Sequence, residues 1–180
     1  VFHRHKGKMR ISAVSDSAFR SLEDNTTGLA LRGFVVLLTI ISELHPGGKC
    51  LVLDYGTKKH KRVNRSTFAA ELNAAVDTLD VAKIVQLTLE EILNPSSMET
   101  IAKAANDGQL LLPLELCIDA KAVYDALAKA EFSMPSEATL IPHLHSVRDD
   151  LAMKRITKLW WIDTRDMVAD GLNKGGLPRD

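Results

Sequence analysis

The residues best placed to do chemistry are acids. Asp16 closes the apolar alternation Ile11–Asp16, and Asp119 closes the apolar run Leu111–Asp119. Glu71 falls within the first two turns of a helix expected to start at Ser66. A fourth acid lies on the last expected helix, where Asp166 and Asp170 share a face and spacing alone does not choose between them. Carboxylates are hard oxygen donors that suit Mg²⁺. Gathered where strands end, such a set fits phosphodiester hydrolysis with two ions roughly 3.5–4 Å apart, one activating a water and one stabilising the leaving oxygen. Zinc is not indicated, because the six His show no ligand-type spacing with Cys50 and Cys117. Each acid also has an ordinary role open to it. Asp119 at a strand-to-helix junction suits an N-cap, Asp16 a turn, and Glu71 a solvated helix face.

A cationic stretch leads into the helix that carries Glu71. Lys58, Lys59, Lys61, Arg62 and Arg65 fall within eight residues, with His60 among them. Such residues grip phosphates without reading base sequence. The competing role is a charged strand edge that resists pairing. The net formal charge of the 180-residue chain is zero, so any nucleic-acid contact must come from this local clustering.

The elements that must position these groups follow from periodicity. Ile11–Asp16 alternates and reads as a first strand. Leu29–Ile41 is rich in β-branched residues and reads as a long second strand. His45–Lys49 is a turn, and Cys50–Tyr55 is the returning strand of an antiparallel meander. A helix is expected from Ser66 to Leu93, its stripe formed by Phe68, Leu72, Ala75, Val76, Leu79, Ala82 and Leu89. Glu71 falls at the edge of that stripe. Asn94-Pro95 ends it, and Ser96–Glu99 opens a short helix that runs to Asn106-Asp107-Gly108. Leu111–Asp119 suits a strand covered on both faces. Helices follow at Ala120–Ala130 and around Leu144, Val147 and Leu151. Lys154–Ile162 reads as the last strand and Asp163–Lys174 as the last helix. Trp160 and Trp161 face opposite ways in that strand and are assigned to the core, one against a helix.

The result is an α/β (α+β) chain: a five-stranded mixed sheet, three strands antiparallel plus two further strands, with flanking helices. Residues 1–10 are basic and without apolar period, and read as a linker or tail; residues 11–180 form the domain. The absence of an initiator Met suggests a fragment of a longer chain. No stretch is long and apolar enough for a membrane span, the N-terminus lacks a signal-peptide core, and two Cys without a metal-type spacing fit a reducing, intracellular setting in cytoplasm or nucleus.

Ordered together, several short motifs make a resemblance. They are Ser15–Phe19 (SDSAF), Thr26-Thr27-Gly28, Lys58-Lys59-His60, Ser66–Glu71 (STFAAE), Cys117–Lys121 (CIDAK), Trp161–Thr164 (WIDT) and Ala169–Lys174 (ADGLNK). Across roughly residues 11–176 the chain resembles the ribonuclease H domain that follows the reverse transcriptase in Ty1/copia-type retrotransposon polyproteins. The resemblance implies an RNase H-like fold. It implies that Asp16, Glu71, Asp119 and Asp170 form the catalytic set and bind two Mg²⁺, with Mn²⁺ as a substitute, and it chooses Asp170 over Asp166. It implies cleavage of the RNA strand of an RNA–DNA hybrid, leaving 3′-hydroxyl and 5′-phosphate ends, with the upstream reverse transcriptase as partner in the same polyprotein. Lys58, Lys59, Lys61, Arg62 and Arg65 then become the grip on the hybrid, which is recognised by shape and 2′-hydroxyls.

The chain departs from the family at four places. Ala18 stands where an acid is usual, Leu72 where a Tyr is frequent, and Asn173 where Thr is usual. Asp163–Val168 has no His of the kind cellular RNases H carry before the last helix, which leaves proton transfer to the leaving group solvent-borne. Two other readings stay open. One is a non-catalytic RNase H-like module that binds nucleic acid or connects domains in a degenerate or domesticated element. The other is an RNase H-fold nuclease that cuts a different phosphodiester.

Overall fold

A computed structural model gives the chain's structure and describes residues 7–18, 30–42, 44–59, 64–131, 135 and 137–173. The tail 1–6, the Phe19 and Thr26-Thr27-Gly28 motif positions with their connector, His60, Lys61, Arg62, and Lys174 with Gly175-Gly176 lie outside the described residues.

Five strands form one mixed sheet: β1 (Met9–Ala18), β2 (Leu31–Ile40), β3 (Cys50–Lys59), β4 (Leu114–Ile118) and β5 (Lys158–Trp161). Their order is β3-β2-β1-β4-β5. The meander β1-β2-β3 is antiparallel, as its turn residues predict. β4 and β5 join in parallel, which puts the ends of β1 and β4 side by side.

The long helix α1 (Thr67–Leu93) covers one face. Ser66 caps it, its hydroxyl accepting from Ala69 N (3.1 Å). Its buried side is rich in alanine: Ala69, Ala70, Ala74, Ala75 and Ala82 are at or near zero exposure. Small side chains let the helix axis lie close to the sheet, so that Leu72 and Leu79 reach Ile11, Ala13 and Leu116 in a single apolar cluster. α2 (Met98–Asn106), α3 (Lys121–Ala128) and α4 (Ile141–Ala152) complete the helical part, with a 3₁₀ turn at Ala138–Leu140 leading into α4. No helix among the described residues is long and apolar enough to cross a membrane.

The opposite face has a smaller cluster. Val14, Val35 and Cys117 lie under Met167 and Ala169. Here the structure corrects the expected helix Asp163–Lys174. The segment is a 3₁₀ turn, Thr164–Asp166, then extended backbone at Met167 (φ −75, ψ 97), then the short α5 (Asp170–Asn173). Burying both Met167 and Ala169 on the sheet needs a period of two, which a continuous helix does not supply. Asp166 and Asp170 therefore do not share a helix.

Strand bounds also move. β5 spans only Lys158–Trp161 and not the expected Lys154–Ile162, because Lys154 has a left-handed φ of 57 and residues 153–156 turn the chain out of α4. β3 runs on to Lys59, so Lys58 and Lys59 pair with Arg32 and Leu31 and belong to a strand, not to a loop. β4 starts only after Pro113, which has no N–H to give a ladder, although its carbonyl accepts from Ile11 N (2.8 Å). β1 begins at Met9, so Met9 and Arg10 are sheet residues, two positions earlier than the alternation suggests.

Arg10 is fully buried. Its guanidinium donates to Thr39 Oγ1 (3.0 Å), to the carbonyls of Ser42 (3.0 Å) and His45 (3.1 Å), and to Glu115 Oε1 (3.2 Å). Glu115 Oε2 also takes the indole N–H of Trp160 (2.5 Å). The network pins the β2–β3 turn to the sheet centre. Removing one partner strands the other charge in the interior. Arg10→Ala and Glu115→Ala are each expected to lower unfolding free energy by about 3–5 kcal/mol, read from urea denaturation midpoints. A loss below about 1 kcal/mol in both would show that the pair is solvated.

Candidate active site

β1 and β4 are the parallel neighbours at the sheet centre, and Ser15 pairs with Ile118. The next residues are Asp16 and Asp119, so register alone sets these two acids side by side. Glu71 is the fifth residue of α1, which packs on β1. One oxygen from each of Asp16, Glu71 and Asp119 lies within 4.8 Å of the other two. Asp16 is buried at 5% exposure, while Glu71 and Asp119 are half-buried.

Each acid has a defined setting. The Ser17 backbone N–H donates to the Glu71 carboxylate. Burial first, then the charges of Asp16 and Asp119, push the Glu71 carboxyl up to about 8, against the lowering effect of that N–H. Asp119 is not spent as a cap: the N-cap of α3 is Ala120, with no side-chain cap bond. Instead Asp119 Oδ2 accepts from Thr164 Oγ1 (2.9 Å), and its carbonyl accepts from Trp161 Nε1 (2.8 Å). The 3₁₀ turn after β5 thus holds Asp119 in place.

The trio fits a divalent cation. Oxygens across a Mg²⁺ at about 2.1 Å each stand about 4.2 Å apart, and the three oxygens here lie within 4.8 Å of one another. All three donors are carboxylate oxygens, and their mutual repulsion, seen at Glu71, is what a divalent charge relieves.

The fourth expected acid lies on a separate element. Asp170 opens α5, which packs against β1, β2 and β3, and it lies outside the group of three. Of the expected grip, Lys58 and Lys59 are exposed at the end of the edge strand β3, and Arg65 is exposed one residue before the cap of α1. Sequence reasoning missed Thr164 and Trp161. Thr164 lies in the WIDT stretch, but nothing in its type marks a bond to Asp119 across 45 residues. Trp161 was expected in the core and is 47% exposed. Trp160 is the one that turns inward, with its N–H on Glu115.

A mixed sheet of order β3-β2-β1-β4-β5, a long helix on one face and a short one on the other define an RNase H-like fold. The chain is similar to LC11-RNase H1, solved in complex with an RNA/DNA hybrid, with a TM-score of 0.51 at 16% identity over 91% of this chain and 93% of that one. RNase H1 from the halophilic archaeon Halobacterium salinarum NRC-1 gives a TM-score of 0.49 at 19% identity, over 91% and 93%. The prototype foamy virus protease-reverse transcriptase gives 0.49 at 14% identity, over 96% of this chain and 21% of that one. No protein-family model and no curated protein matches the chain.

Proposed function

We propose that the chain is an RNase H-type endonuclease that hydrolyses the RNA strand of RNA–DNA hybrids. The observation that supports it most is the convergence of Asp16, Glu71 and Asp119 within 4.8 Å on an RNase H-like sheet. These three carboxylates would hold Mg²⁺, or Mn²⁺ in its place. A bound pair of such ions supplies an activated water and a stabilised leaving oxygen. The chain's own residues do the rest. Thr164 and Trp161 fix Asp119 from two sides, through its carboxylate and its carbonyl. Ser17 N–H orients Glu71. Asp170, on α5, is the fourth acid that the motif resemblance assigns to the set. That resemblance also supports a place after a reverse transcriptase in a copia-type retrotransposon polyprotein, and Lys58, Lys59, Lys61, Arg62 and Arg65 as phosphate contacts.

A second reading is a hybrid-binding module that has lost its chemistry, and the departures from the motif pattern at Ala18, Leu72 and Asn173 favour it. A labelled RNA–DNA hybrid incubated with the protein and Mg²⁺ separates the two. Cleavage in the RNA strand with 3′-hydroxyl ends, absent in EDTA, is the expected result. Binding without cleavage in either Mg²⁺ or Mn²⁺ would favour the module, and cleavage confined to duplex DNA would sink both in favour of another phosphodiester substrate.

A further inference from the structure

Among the described residues, Trp161 is a large aromatic bonded to Asp119 that stays in water. It is 47% exposed, while its neighbour Trp160 turns to the interior. Leaving that much apolar ring solvated forgoes the burial an aromatic normally provides. Yet the ring is not loose. Its Nε1 donates to the carbonyl of Asp119 (2.8 Å), so the residue that contributes a carboxylate to the trio also fixes the indole beside it. A cation stands over the ring. Lys121, two residues after Asp119, places Nζ 5.7 Å from the centre of Trp161 and 4.8 Å from that of Tyr124. The Lys121 side chain is 58% exposed and pairs with Asp125 (2.8 Å), which Lys129 also pairs (3.1 Å). Lys121 and Lys129 thus share Asp125.

We propose that Trp161 and Lys121 form a substrate subsite for the strand being cut. The indole packs on the sugar next to the phosphate at the carboxylates, and the Lys121 ammonium contacts the neighbouring phosphate. The inference rests on the hybrid as substrate, and it places part of the grip beside Asp119 as well as on the basic stretch before α1. Three physical points carry it. In a duplex the bases close each other's faces, so a flat ring beside the backbone meets the apolar face of a sugar. A lysine near the ring meets a phosphate as a point charge without reading sequence. And the ring is pre-set by its N–H bond, so little ordering is left to be done on binding.

The test is hybrid binding by fluorescence anisotropy, with Ca²⁺ in place of Mg²⁺ to hold cleavage off. Trp161→Ala is expected to weaken binding about tenfold, within the range for loss of an aromatic platform. Trp161→Phe, which keeps a ring but not the N–H, is expected to retain most of the affinity. Lys121→Ala is expected to lower the slope of log Kd against log salt by about one. Melting temperature, read alongside, shows that each variant is folded. Should Trp161→Ala fail to fold, the Phe and Lys121 variants still decide. If Phe loses as much as Ala, the N–H bond to Asp119 is what matters and the subsite is wrong. If the unsubstituted chain binds and neither Trp161→Ala nor Lys121→Ala changes affinity or slope, the subsite is likewise wrong while the reading of the substrate stands. If the unsubstituted chain does not bind the hybrid at all, both fall.

Discussion

Asp119→Asn is expected to fold, to bind the hybrid, and to cut it slower by on the order of a hundredfold or more. The fold should survive because Asn has the same shape, and the Thr164 hydroxyl can donate to the remaining oxygen where it now donates to Oδ2. Binding should survive because the cationic and aromatic contacts are untouched. The rate should not survive, because the substitution removes one of three carboxylates that lie within 4.8 Å and with it an anionic ligand for the divalent ion. A displacement of about 1 Å in a catalytic group already costs on the order of a hundredfold, and loss of a ligand charge costs more. The assay is initial rate on a labelled hybrid against Mg²⁺ concentration. A variant that cuts at the unsubstituted rate at every Mg²⁺ concentration would mean that the trio is a structural cluster and the chemistry lies elsewhere.

Two of these acids are legible in the sequence for a shared reason. Asp16 and Asp119 each close an apolar run. If the two runs are parallel neighbours, their ends must meet, and the pairing Ser15–Ile118 shows that they do. Glu71 was legible for a different reason. Ser66 is a cap with a one-residue effect, so it sets the helix phase, and the phase sets Glu71 at the edge of the buried stripe. The long helix was legible because its buried residues recur with a helical period, β4 because its apolar run is buried throughout, and β3, exposed along most of its length, because the turn before it folds it back along β2.

What stayed hidden depends on tertiary choices that no local period encodes. The last segment has apolar residues at spacings compatible with a helix, yet the small cluster over Val14, Val35 and Cys117 takes Met167 and Ala169 from one extended stretch. That choice moves Asp170 to the start of a short α5 instead of the middle of a long helix. The buried Arg10–Glu115 pair was equally hidden, since an arginine in a basic N-terminal stretch looks solvated until its partner, 105 residues away, is placed. The basic stretch shows the same limit: Lys58 and Lys59 carry charge that reads as loop, but their backbone extends β3 along Arg32 and Leu31.

Glu71→Gln offers the second large effect, and its sign follows from linkage. Burial and two like charges raise the Glu71 carboxyl from 4.5 to about 8 in the folded chain. A raised folded value means that the stability tied to the protonated form is fully present below about pH 4.5 and is lost as pH climbs through about 8. At 1.36 kcal/mol per pH unit, the full shift sets an upper figure of roughly 4–5 kcal/mol, shared across the three coupled acids. With about 2–4 °C per kcal/mol for a chain of this size, the metal-free protein should lose about 10 °C in melting temperature between pH 4.5 and pH 9 from this source. Glu71→Gln is neutral throughout and should escape that loss, melting with the unsubstituted chain at pH 4 and well above it at pH 9 in EDTA. Mg²⁺ should reverse the order. Ion binding displaces the Glu71 proton, so the unsubstituted chain gains stability as RT ln(1 + [Mg²⁺]/Kd), and the Gln variant, short of one ligand charge, gains much less. Parallel melting curves for the two proteins across pH in EDTA would show that Glu71 does not feel Asp16 and Asp119. A Mg²⁺ response undiminished in the Gln variant would place the ion away from the trio. The crossing of the two curves, Gln more stable without metal and less stable with it, is what a carboxylate kept for an ion rather than for the fold requires.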